Sequence, residues 1–196
     1  MKAKSPPRMQ VVKHEEKKAK LTDFILDQLD QLDHEHPLHA PYELQLVALS
    51  ATSPVIGALK TAAERRDLSK AHLRVIFASI ESTDMMQELT GLPPLSISWA
   101  RNARLLDAHE QLVLCDTGCW IGDCMRREPG KRDAFECFAD DCRETAAWAK
   151  TSFERLWAIS IPLVTAQDAE TDISTALPSQ IQMPEQKSAT VTGTLH

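Results

Sequence analysis

Hydrophobic positions along the chain follow two rhythms. Leu21, Phe24, Ile25, Leu29 and Leu32 stand three and four residues apart, the spacing of one helix face, and Thr22 or Asp23 can cap its start. The segment from His34 to Pro41 then breaks the chain, because Pro37 and Pro41 so close together resist helix. Leu44 to Leu49 is a short apolar run between polar residues and reads as a strand. Ser53 as cap and Pro54 at the first helical position start a helix that continues to Arg66. His72 to Ile80 predicts a second strand, Ser82 to Thr90 a short helix stopped by Gly91, and Leu95 to Trp99 a third strand of period two. Further on, Glu110 to Cys115 and Cys119 to Ile121 are two apolar runs about a tight Asp116-Thr117-Gly118 turn. Ala134 to Phe138 offers another strand, and Asp140 or Asp141 can cap a closing helix through Trp157. Strand, helix, strand, helix, strand implies crossover connections. The expected fold is α/β, with a mixed, largely parallel sheet flanked by helices. No internal repeat is visible.

Composition narrows the class. The 196 residues fit one domain with loose ends, and 43% hydrophobic with 26% charged residues is ordinary for a globular protein. No apolar run approaches the roughly 18 residues of a transmembrane helix, and no apolar segment follows the basic start, so neither a membrane span nor a secretory signal is expected. The expected location is cytoplasmic, where thiols stay reduced. Charge is unevenly placed. Residues 1–20 carry Lys2, Lys4, Arg8, Lys13, Lys17, Lys18 and Lys20 against Glu15 and Glu16, a local +5 in a chain of net −6. They read as a disordered basic arm, either simply solvated or touching nucleic acid or anionic lipid. Residues 21–42 read as a helix and a Pro/His-rich linker, 43–163 as the folded domain, and 164–196 as a disordered, acidic-to-neutral tail. The acidic middle argues against broad DNA binding, which needs a positive surface, and leaves nucleic acid an open partner.

Candidate chemistry is concentrated between His109 and Glu136. On a strand, His109 and Gln111 share one face while Leu112 and Leu114 turn to the other, toward a core. With Asp116 at the turn, these residues make either a polar rim or a strand with one polar edge. Cys115, Cys119, Cys124, Cys137 and Cys142 are separated by three, four, twelve and four residues, which gives no paired zinc knuckles. They read as reduced, packed thiols. His34, His36 and His39 fit a flexible linker better than a metal site. No metal or other cofactor is expected.

The segment His109-x-Gln111-x4-Asp116, followed by Trp120-Ile121-Gly122, resembles the His-x-Lys-x4-Asp signature of the phospholipase D superfamily, which continues into Gly-Ser-x-Asn. The resemblance extends to the preceding strand-helix-strand, to Arg132-Asp133-Ala134-Phe135-Glu136, and to the helix ending Ser152 to Trp157, so that it covers residues 43–160. It implies a phospholipase D-like single half-domain acting on a phosphodiester or phosphorylated ligand. It implies His109 as nucleophile or general acid, with Asp116 as its supporting partner and Glu136 holding a histidine ring. The family's lysine stabilises phosphate oxygens. Here Gln111 stands in its place, donating hydrogen bonds but no charge. Asp123 and Met125 replace the family's serine and asparagine. Arg126, Arg127, Lys131 and Arg132 follow nearby, either as compensating cations or as a solvated loop. The family site joins two motifs and this chain has one, so an active site would be completed by a homodimer. The reading adopted is a degenerate site, catalytically impaired and acting by binding; the alternative is an active homodimeric phosphodiesterase or phosphatidyltransferase.

Overall fold

A computed structural model describes residues 6–35, 41–80, 85–101, 110–122 and 133–164, all within the unit spanning Met1–Ala166. The elements are β1 (Arg8–Lys13), α1 (His14–Glu35), β2 (Tyr42–Ala48), α2 (Pro54–Arg65), β3 (Ala71–Phe77), α3 (Met85–Glu88), β4 (Leu95–Trp99), β5 (Gln111–Val113), β6 (Cys119–Ile121), β7 (Asp133–Ala139), α4 (Arg143–Ile159) and β8 (Ile161–Val164). One mixed sheet orders the strands β1-β7-β6-β5-β2-β3-β4-β8. β2, β3 and β4 run parallel, as crossover connections require. The neighbours on both flanks pair antiparallel. The parallel character expected of the sheet is thus confined to its strand-helix-strand centre.

Alternation along the strands divides the core. Leu44, Leu46, Leu73, Val75, Leu112, Leu114, Trp120 and Phe138 pack with Leu21 and Ile25 of α1 and Val55 and Leu59 of α2. The intervening residues turn to the other face, where Val47 and Ile76 meet Phe153 and Leu156, and Val113, Cys119 and Ala139 meet Ala146 and Ala149. The helices α1 and α2 therefore cover one face and α4 the other. Each fully buried Leu, Val, Ile or Phe contributes about 1.5–3 kcal/mol of transfer free energy.

Three local differences from the sequence expectation matter. Residues 8–13, expected in a disordered arm, form β1 against β7, with Val12 buried. An edge strand is held by backbone bonds that a charge-rich sequence does not advertise. The helix expected from Leu21 starts at His14, because its apolar face continues backward through the buried stem of Lys17. Ile161–Val164, assigned no strand from the sequence, pairs with β4 at the opposite edge, a position where Pro162 is tolerated. Other signals act where they were placed. Gly91 follows α3 with φ +86°. Ser53 caps α2 and Pro54 opens it, although the Ser53 hydroxyl accepts from the Ser50 N–H at 3.1 Å instead of bonding the helix. Cys142, not Asp140 or Asp141, stands at the start of α4, and Asp140 pairs with Arg8 at 2.8 Å.

Candidate functional site

Each of β5, β6, β7 and β1 runs against its neighbour. This brings the start of β5, the end of β6, the start of β7 and the end of β1 to the margin where β2, β3 and β4 finish. Glu110, Gly122 and Glu136 form one lateral row there. Gln111 lies opposite Ile121, which lies opposite Cys137. One residue further out, the Gly122 N–H donates to the Glu110 carbonyl at 2.7 Å.

Lys17, in the first turn of α1, reaches this row. Its Nζ lies 3.0 Å from Glu136 Oε1 and 3.7 Å from Glu110 Oε2, and 4.9 Å above the Trp120 ring. Trp120 Nε1–H donates to Glu136 Oε2 at 2.7 Å. The Leu49 N–H, just past β2, donates to Glu110 Oε1 at 2.9 Å. Both carboxylates are 0% exposed. Gly122 makes room for them, since a Cβ there would run into the Trp120 ring and the Glu136 carboxylate. Two buried acids share one ammonium. Burial pushes the Glu136 carboxyl above its ordinary 4.5, while Lys17 and the Trp120 N–H pull it back and Glu110 adds to the rise. The cluster ties α1, the loop after β2, β5, β6 and β7 together through charge-assisted hydrogen bonds.

The four residues singled out in the sequence are distributed as follows. Glu136 sits in this cluster, with one oxygen on Trp120 and the other on Lys17. Gln111 is buried on the opposite face of β5, where its Nε2 donates to the Ala149 carbonyl of α4 at 2.9 Å. Leu112 and Leu114 turn the other way into the core, as alternation requires. Asp116 is at the far end of β5, in the hairpin turn, 81% exposed and 3.6 Å from Lys150. Five residues lie between it and Glu110, on the order of 15–20 Å of strand and turn. Glu136 and Asp116 therefore lie at opposite ends of the hairpin. His109 lies outside the described residues, as do Asp123, Met125, Arg126, Arg127, Lys131, Arg132 and Cys124.

The sequence reasoning did not single out Lys17, Glu110 or Trp120. Two of them left a signal. Lys17 precedes Leu21 and Ile25 at four-residue steps, and Glu110 shares a parity with Leu112 and Leu114. A polar residue on a buried face marks either a satisfied network or a site. Burial pushes Cys119 up to about 12 and also raises Cys137, away from the thiolate that nucleophilic or metal chemistry needs. Among the described residues, no group of three or more His, Cys, Asp or Glu is arranged to hold a metal ion, and no helix is long and apolar enough to cross a membrane.

No family model matches the sequence, and no curated protein matches it significantly. Solved structures do match. A phospholipase D family member, Nuc, from Salmonella typhimurium superposes with a TM-score of 0.55 at 10% identity, covering 82% of this chain and 100% of that one. NucT from Helicobacter pylori superposes with a TM-score of 0.51 at 11% identity, covering 81% of this chain and 100% of that one. At such identities the likeness is one of fold.

Proposed function

The fold is phospholipase D-like, and from it we propose that the chain is a binding domain of that type whose phosphodiesterase site is degenerate. Its ligand is a phosphodiester or phosphorylated molecule, met in the cytoplasm by a homodimer. The observation that carries the reading is Gln111. It occupies the motif position of the charge-stabilising lysine, is buried, and has its amide bonded to the Ala149 carbonyl. Losing one preorganised charge-stabilising donor costs on the order of 10²–10³ in rate. Lys17 does not replace it, because its ammonium lies between Glu110 and Glu136. Glu136, expected to hold a histidine ring, has both oxygens in contact with Lys17 and Trp120. The homodimer follows from the single motif, since the family chemistry joins two.

Cleavage of bis(p-nitrophenyl) phosphate by the full chain, beside His109→Ala and Gln111→Lys, tests this reading. The parent is expected to stay at the His109→Ala background while retaining the uncleaved ester in equilibrium dialysis. Turnover in the parent that disappears in His109→Ala would replace binding with an active homodimeric phosphodiesterase working through a phosphohistidine. Absence of both turnover and saturable ester binding would remove the phosphoester reading altogether. Gln111→Lys is expected to fall in melting temperature, because it places an ammonium beneath α4.

A further inference from the structure

A lateral row begins at Gln111 and runs through Ile121 and Cys137 to Met9, each standing directly opposite the next across β5, β6, β7 and β1. Residues paired in this way share one face of the sheet. It is the face that α4 covers, but the helix covers only part of it. Gln111 is buried beneath α4 and bonded to its Ala149 carbonyl. Ile121 and Cys137 are half-buried, and Met9 is more than half exposed. Val11 and Phe135, the next pair toward the margin of the Lys17 cluster, are both more than half exposed. Burial thus falls away strand by strand as the helix is left behind.

Trp148 borders the same ground. It and Lys150 stand about 100° to either side of the buried Ala149, on opposite flanks of α4. Lys150 lies 3.6 Å from Asp116 at the far end of the hairpin. That turns Trp148 toward the bare part of the sheet, and it too is more than half exposed. Met9, Val11, Phe135 and Trp148 together expose on the order of 400 Å². A standard interface takes about 800 Å² from each partner, roughly 60% of it apolar. The patch therefore supplies most of the apolar area that one copy brings to a dimer.

The charges around the patch select the partner. Arg8 is held by Asp140 at 2.8 Å, and Lys13 stands opposite Asp133 in register. This rim is balanced within the chain, and the chain as a whole carries −6. An anionic lipid surface or a nucleic acid needs a surplus of cations that this rim does not offer. A second copy brings the same apolar ground and the same balanced rim. We propose that two copies of this chain meet face to face through this patch, about a two-fold axis that sets the Met9, Val11, Phe135 and Trp148 of each against the patch of the other. Faces meet and not edges, because fully overlapped antiparallel pairing of β1 with itself would put Arg8 opposite Lys13. The proposal rests on the homodimer of the preceding reading and on nothing in its phosphoester chemistry.

Sedimentation equilibrium of the full chain tests it, in reducing buffer so that Cys137 adds no disulfide. The parent is expected at twice the chain mass at micromolar concentration. Val11→Glu and Trp148→Glu are each expected to raise the dimer dissociation constant about thirtyfold or more. Both side chains are exposed, so the far-UV circular dichroism should not change; Met9→Lys takes the place of either variant that fails to fold. Ile159→Glu, at an exposed apolar position at the other end of α4, is expected to leave the dissociation constant unchanged. A parent dimer that folded patch variants leave intact overturns this surface while the homodimer stands. A monomeric parent overturns both. If that monomer co-sediments with phosphatidylglycerol vesicles and Val11→Glu releases it, the patch belongs to a lipid surface and the proposal is overturned in that direction.

Discussion

Lys17 holds two buried carboxylates at once, and its removal exposes what each one costs. Lys17→Met keeps the apolar stem and leaves Glu110 and Glu136 without a cation. Breaking a buried pair this way costs about 3–5 kcal/mol, to be read from urea unfolding. Adding Glu136→Gln to Lys17→Met removes one uncompensated charge while keeping an acceptor for the Trp120 N–H, so the double variant should recover part of that loss. The pH dependence follows from Glu136. Its folded value lies above the ordinary 4.5, so the folded state binds the proton more tightly than the unfolded chain. The contribution is then fully present below 4.5 and is lost as pH rises through the higher folded value. Unfolding curves from pH 4 to 8 should show the parent losing stability relative to Glu136→Gln as pH rises; parallel curves would mean that the carboxyl is not shifted.

The helix α1 and the β5–β6 hairpin show how an element is fixed by a contact that is not periodic. Gln28, buried on the inner face of α1, donates to the Asp140 carbonyl at 3.4 Å, and a Cβ on Gly118 would collide with its side-chain oxygen. The turn uses glycine here for close approach and not for a special backbone angle. Gly118→Ala should cost about 1–3 kcal/mol through overpacking, measurable as a lowered urea midpoint. Much of the element order was legible: β2, α2, β3 and β4 from apolar runs and a Ser-Pro helix start, the hairpin from Asp116-Thr117-Gly118, and α4 from its apolar stripe. The edges were not. β1 carries Met9 and Val11 outward with only Val12 buried, which gives no one-sided apolar pattern strong enough to outweigh its flanking lysines. β8 carries a proline. Of the buried charge cluster, Glu136 was singled out only for a different role, the holding of a histidine ring, and its partner Lys17 was hidden inside a run of basic residues that looked solvated.

At the scale of the molecule, β1 and β8 occupy the two margins of the sheet. Removing residues 1–13 would uncover the margin of β7 and free a row of backbone donors and acceptors. The shortened chain is expected to self-associate or precipitate on size-exclusion chromatography where the parent elutes as a defined species. The phospholipase D-like architecture also explains why fold and chemistry can be read apart here. The sheet order rests on packing across β2 to β7, and that packing does not by itself decide which polar groups stand at its margin.

The pairing of β1 with β7 has a further consequence for synthesis. The first strand of the sheet leaves the ribosome with no neighbour, and its neighbour is among the last to emerge. Lys17 emerges with it, long before Glu110 and Glu136. Until β7 has been translated, the nascent chain carries an open margin and an ammonium without its full pair of acids, so the sheet closes, and the charge is buried, only after the seventh of its eight strands has emerged.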